Sequence, residues 1–100
     1  VADVQESSVV RGAELLRVLG SPVRIGVILE LERHGERCVH ELVDALDVAQ
    51  PLVSQHLRVL RAANLIVARR DGKEMRYSIV DDHVTHIVHD AIRHAEEAGT

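Results

Sequence analysis

The apolar pattern along the chain is interrupted six times, and the interruptions divide it into seven elements. Val9, Val10, Ala13, Leu15, Leu16 and Leu19 predict a helix within residues 1–20 that ends at Gly20. Ser21-Pro22 reads as N-cap and first helical position of a second helix, carried by Val23, Ile25, Val27, Ile28, Leu29 and Leu31 to His34-Gly35. Residues 37–46 predict a short helix with Val39, Leu42, Val43 and Leu46 inward. After a turn at 47–49, a fourth helix starts at Gln50-Pro51, with Leu52, Val53, Leu57, Val59 and Leu60 on its apolar side. The period then shortens. Residues 65–70 and 74–79 read as two strands around an Asp71-Gly72 turn, a strong hairpin cue. Finally Val84, Ile87, Val88, Ala91, Ile92 and Ala95 recur at spacings of 3, 1, 3, 1 and 3, one apolar face of a helix over 81–97, with Gly99 at its stop.

The predicted order is α-α-α-α-β-β-α, mainly α with a β-hairpin wing. Helix, three-residue turn, helix, hairpin is the pattern of a winged helix-turn-helix, here a single domain over residues 1–100. Tyr77 is the only aromatic residue, so the core must be Leu, Val, Ile and Ala, and extra burial in a dimer through the N- and C-terminal helices would be favourable. Nothing approaches the length of a membrane span and no signal-peptide pattern opens the chain, which predicts a cytoplasmic protein with no membrane partner. One cysteine, Cys38, excludes an internal disulfide framework.

Charge changes the picture once it is divided along the chain. The net charge is −4, yet residues 50–79 hold six Arg and Lys against Asp71 and Glu74, a local +4. A basic third in an acidic protein points to a polyanion on one face. The polar side of the fourth helix carries Gln50, Ser54, Gln55, His56, Arg58 and Arg61, types that bond base edges or phosphates. The hairpin adds Arg69, Arg70, Lys73 and Arg76, suited to phosphates or a minor groove. Double-stranded DNA is the expected partner.

Four of the seven histidines, His83, His86, His89 and His94, crowd the last helix. Asp81 and His83 flank its start, and His94 and Glu97 share a face three residues apart. From 83 to 94 is about 16 Å along the axis, whereas zinc bonds to nitrogen or oxygen are about 2 Å. One chain therefore cannot close this set on one ion. Two antiparallel copies crossing near His89 would bring Asp81 and His83 of each beside His94 and Glu97 of the other. Each of the two symmetric sites would then have two nitrogens and two carboxylates, a set compatible with tetrahedral zinc.

The segments SPVRIGVILEL, CVHELVDALDVAQPLVSQHLRVLRAANLIVARRDGKEMRYSIVDDH and HDAIRHAEE resemble the ArsR/SmtB family of bacterial metal-sensing repressors, nearly end to end. The pattern D-x-H, ten residues, H-x-x-E is met by Asp81, His83, His94 and Glu97, which in that family form a zinc site bridging two subunits. The resemblance implies a homodimer that binds a palindromic operator when metal-free and dissociates when Zn(II) binds, with Co(II) or Ni(II) as alternatives on the same helix. The chain departs from the family at its other metal site, a C-V-C motif. Here it reads Cys38-Val39-His40-Glu41. One thiolate is too few for arsenite or lead, and Cys38 with His40 or Glu41 offers half of a second site, to be completed by a longer native N-terminus.

Two other readings stay open, a DNA binder that responds to no metal and a sensor acting through Cys38. Cys38 as a redox or persulfide sensor would need an intersubunit or mixed disulfide. An enzyme using Cys38 and His40 is set aside, because four protein ligands leave zinc no open position and no Gly-rich phosphate loop is present. No small organic substrate is expected.

Overall fold

The computed structural model describes residues 6–99; positions 1–5 of the opening segment lie outside the described residues. Seven elements follow in the expected order: α1 (Ser7–Leu19), α2 (Pro22–His34), α3 (Val39–Leu46), α4 (Gln50–Ala62), β1 (Ile66–Asp71), β2 (Glu74–Ile79) and α5 (Asp82–Gly99). Local chemistry sets most of these boundaries. Ser21 caps α2, its hydroxyl accepting the Arg24 N–H at 3.3 Å, and Pro22 follows as first residue. Asp81 caps α5 in the same way, its Oδ1 accepting the His83 N–H at 2.9 Å.

Ile28, Leu42, Leu57, Leu60, Leu65 and Ile66 form the fully buried centre. Each such side chain contributes about 1.5–3 kcal/mol relative to an exposed position. Val84 and Val88 bring α5 onto this core, against α2. Gly26 is what lets α2 and α3 approach: a Cβ there would lie 3.0 Å from Leu46 Cδ2. The helices thereby hold α4 across the front of the molecule, with the hairpin beside it.

Three details differ from the pattern reading. The third helix begins at Val39 rather than 37, because Arg37 is engaged in a sheet. Its N–H donates to Tyr77 O at 3.0 Å and its carbonyl accepts Tyr77 N–H at 2.8 Å, an isolated antiparallel bridge beside β2. The hairpin turn is Gly72-Lys73, one residue later than expected, since Asp71 still pairs with Glu74. Positive φ falls on Gly72 and not on Lys73, the pattern of a type II′ turn. Leu52 is half exposed, because the buried stripe of α4 runs through Val53, Leu57 and Leu60 and position 52 falls outside it.

Candidate functional site

Two surfaces gather the chemistry, one on α4 and the hairpin, the other along α5. On α4, Gln50, Gln55, Arg58 and Arg61 are exposed and Ser54 is half-buried. Ser54, Arg58 and Arg61 line a cleft whose other wall is Tyr77 of β2, so the helix and the wing form one continuous face. His56 does not stand on that face as an open side chain. It is half-buried, and its Nδ1 accepts from Arg24 Nε at 3.1 Å, while Arg24 Nη1 is anchored on Val18 O. Burial, and then the Arg24 charge, push the His56 pKa down. The accepting Nδ1 puts the ring proton on Nε2, leaving a neutral donor there.

The hairpin cations divide into two kinds. Arg69 and Arg76 sit directly opposite each other in register, a repulsive pairing. Glu36 offsets it: Arg69 donates through Nε and Nη2 to the two Glu36 oxygens at 2.9 and 2.6 Å, and Arg76 Nε lies 3.7 Å from the same carboxylate. The bidentate Arg69 bond, chiefly, holds the Glu36 pKa below the ordinary carboxylate range. Arg70 and Lys73 have no anionic partner among the described residues; Arg70 touches only Met75 Sδ, at 3.8 Å. Sequence reasoning treated all four as equivalent. It missed Glu36, whose role depends on a loop 33 residues away from Arg69 in the chain.

Glu41 organises the start of α3. Its Oε1 accepts the Cys38 N–H at 3.0 Å and the Cys38 thiol at 3.2 Å, and it pairs with Arg37 and Arg76 at 3.3 and 3.7 Å. The backbone bond first, then the thiol bond and the two guanidinium groups, bring the Glu41 pKa down to about 2. Cys38 is buried, and desolvation pushes its thiol pKa up. That is the opposite of the exposed, electropositive setting that makes a thiol reactive. Cys38 Sγ lies 3.2 Å from His40 Nδ1, and that nitrogen lies 3.6 Å from Glu74 Oε1 of β2.

On α5 the four spacing-matched residues form two pairs and not one site. Asp81 Oδ1 and His83 Nδ1 are 3.4 Å apart at the N-terminal end, both open to solvent. His94 and Glu97 are exposed about three turns further along. His89 is otherwise engaged, its Nε2 2.6 Å from Glu32 Oε1 of α2, and His86 is exposed. The donors fit a divalent ion chemically: each pair offers one imidazole and one carboxylate on an open face. Val9, Val10 and Leu16 leave an exposed apolar strip on α1.

A family model described as bacterial regulatory protein, arsR family, matches residues 21–67, from the cap of α2 to the first residues of the wing. Over 95 residues the chain is 35% identical to the HTH-type transcriptional regulator NmtR of Mycobacterium tuberculosis, covering 95% of this chain and 78% of that one. The chain belongs to the ArsR family. It is 57% identical over 84 residues to the HTH-type transcriptional repressor SmtB of M. tuberculosis, 84% of this chain, and spans 62% of that relative's length. The solution structure of the homodimeric winged helix-turn-helix DNA-binding domain Mb0332 of Mycobacterium bovis superposes with a TM-score of 0.80 at 23% identity, over 93% of this chain and 86% of that one. The fold of this ArsR-family chain is therefore a winged helix-turn-helix. No helix among the described residues is long and apolar enough to cross a membrane.

Proposed function

We propose that this protein is a metal-responsive transcriptional repressor, not an enzyme, that acts in the cytoplasm. As a metal-free homodimer it binds operator DNA, and it lets go when Zn(II) binds between the C-terminal helices. The observation that carries this reading is the placement of Asp81 with His83, and of His94 with Glu97, in two solvent-exposed pairs at opposite ends of α5. Neither half alone saturates an ion, and a second antiparallel α5 supplies what each lacks. The exposed apolar strip of α1 gives the dimer further area to bury. Cobalt or nickel would use the same helix, and the relatives named transcriptional repressor SmtB and transcriptional regulator NmtR support a regulator of transcription.

In this reading Gln50, Ser54, Gln55 and Arg58 meet bases and backbone in the major groove, and His56 donates through Nε2. Arg70 and Lys73 reach phosphates, while Arg69 and Arg76 keep the wing on the body of the protein. A two-fold dimer implies a palindromic operator with half-sites about one helical turn apart. When bound, the ion supplies a bridge between two α5 helices. Asp81 is already oriented by its bond to the His83 N–H, and His94 and Glu97 lie one turn apart on the exposed helix. Zinc shifts the equilibrium only if it binds the DNA-incompetent dimer more tightly, and a coupling of about 1–3 kcal/mol changes operator affinity about 5–150-fold.

The experiment is fluorescence anisotropy on a duplex selected from random sequence by the chelator-treated protein. Zn(II) should release the wild-type chain at low concentration and leave the Asp81→Ala/His83→Ala variant bound. Zinc indifference in the wild type, or equal release by both proteins, would sink the α5 mechanism.

A further inference from the structure

We propose that Arg24 is a positioning residue for DNA recognition: held by the last turn of α1, it fixes His56 of α4 as a hydrogen-bond donor that reads an acceptor on the duplex. The inference rests on the DNA-binding reading above and adds to it a residue of α2, outside the helices that would meet DNA. Arg24 stands in the first turn of α2, where the Ser21 hydroxyl accepts its N–H, so the cap fixes the backbone that carries it. Its side chain then bridges two other helices. Nη1 donates to Val18 O and Nε donates to His56 Nδ1, each at 3.1 Å. Val18 is buried in the last turn of α1, where carbonyls have no partner inside the helix. The guanidinium satisfies one of them and sets a cation at the negative end of the helix dipole. Because a guanidinium is planar and always charged, its donors keep a fixed relative direction. The end of α1 therefore determines where Nε points.

The consequence for His56 is chemical as well as positional. A guanidinium has no acceptor, so the contact exists only while Nδ1 of His56 is unprotonated. That confines the half-buried ring to one state, neutral with its proton on Nε2. An Nε2–H bonds only to acceptors, which on a duplex are purine N7, guanine O6, thymine O4 or a phosphate oxygen. Without Arg24 the ring is free to take the other tautomer, whose Nε2 accepts and would select the amino groups of adenine or cytosine. It is also freer to take a second proton, which burial and then the Arg24 charge oppose in the native protein. A surface arginine attracts phosphates by its charge alone. Arg24 instead turns Nε and Nη1 into the protein, so its effect on DNA passes through His56.

The test is a double-substitution cycle on the chelator-treated full chain, read by anisotropy on its selected duplex, beside nitrogen NMR spectra of the imidazole rings. Arg24→Ala should weaken binding about tenfold in the wild-type background, as expected for loss of one base contact. In the His56→Ala background the same change should cost less than about twofold. In the spectra, wild-type His56 should carry its proton on Nε2 alone. In Arg24→Ala both tautomers should appear and the ring should titrate at higher pH, with an unchanged circular dichroism spectrum. Equal losses in both backgrounds would make Arg24 a scaffold or a phosphate contact and overturn the proposal. So would a proton on Nδ1 of wild-type His56, a result that needs no variant to fold. A chain that retains no duplex would sink the DNA reading and this role with it, whereas a tight duplex with an additive cycle would sink this role alone.

Discussion

The base and the tip of the hairpin carry the same kind of residue to opposite ends. At the base, Arg69 and Arg76 face each other and are drawn onto Glu36, with Arg76 also near Glu41. At the tip, Arg70 and Lys73 have no acid to answer them among the described residues. Cations that look interchangeable in composition are therefore divided between holding the wing and meeting a polyanion. The lesson is that a basic stretch has to be counted after its internal partners are subtracted.

The sharpest way to break this division is at the tip. Arg70→Ala/Lys73→Ala should weaken binding to every duplex alike and make the slope of log affinity against log salt shallower by about 2, at about 0.9 per phosphate. A loss confined to one sequence would mean that the tip reads bases. At the base the effect should be of another kind and smaller. Arg69→Ala should leave the salt slope nearly unchanged and lower the urea-unfolding midpoint only slightly, because this pair is largely open to solvent. If Arg69→Ala flattened the slope as the tip variant does, Glu36 would be yielding its partner to DNA.

The smallest effect concerns acid. Glu41 has a folded-state pKa of about 2 against an ordinary 4.5. A depressed carboxylate stabilises the fold fully above the ordinary value, and the contribution is lost as pH falls from 4.5 toward 2. Glu36 is shifted in the same direction, so the seam between the wing and α3 should loosen in that window. Thermal melts followed by circular dichroism should show Glu41→Gln less sensitive to pH there than the wild type. Parallel pH profiles would remove Glu41 from the seam.

Much of the architecture could be read from the chain because its signals are local. The Ser21-Pro22 cap, the hairpin and the α5 periodicity each act within a few residues, and all appear in the structure, the hairpin with its turn one residue later than Asp71-Gly72. The two pairs on α5 were legible for the same reason, since helix geometry alone shows that they cannot meet in one chain. What escaped reading depends on contacts across the chain. Glu74 reaches His40, and Glu36 reaches Arg69, only after the hairpin folds back beside residues 36–38. The local pattern continues the helix back to Arg37, whereas its backbone partner is Tyr77, 40 positions later. Arg24 turns His56 from an open recognition residue into a supported one by a contact 32 positions distant.

Tyr77 has an optical consequence. With no tryptophan and no other tyrosine, the ring that lines the cleft beside Cys38 and His40 is the only emitter in the chain. Its backbone is hydrogen-bonded to Arg37, so the light it returns comes from the seam between helix and wing. A duplex laid across α4 would change its surroundings. The protein carries its own unlabelled reporter at the joint between α4 and the wing.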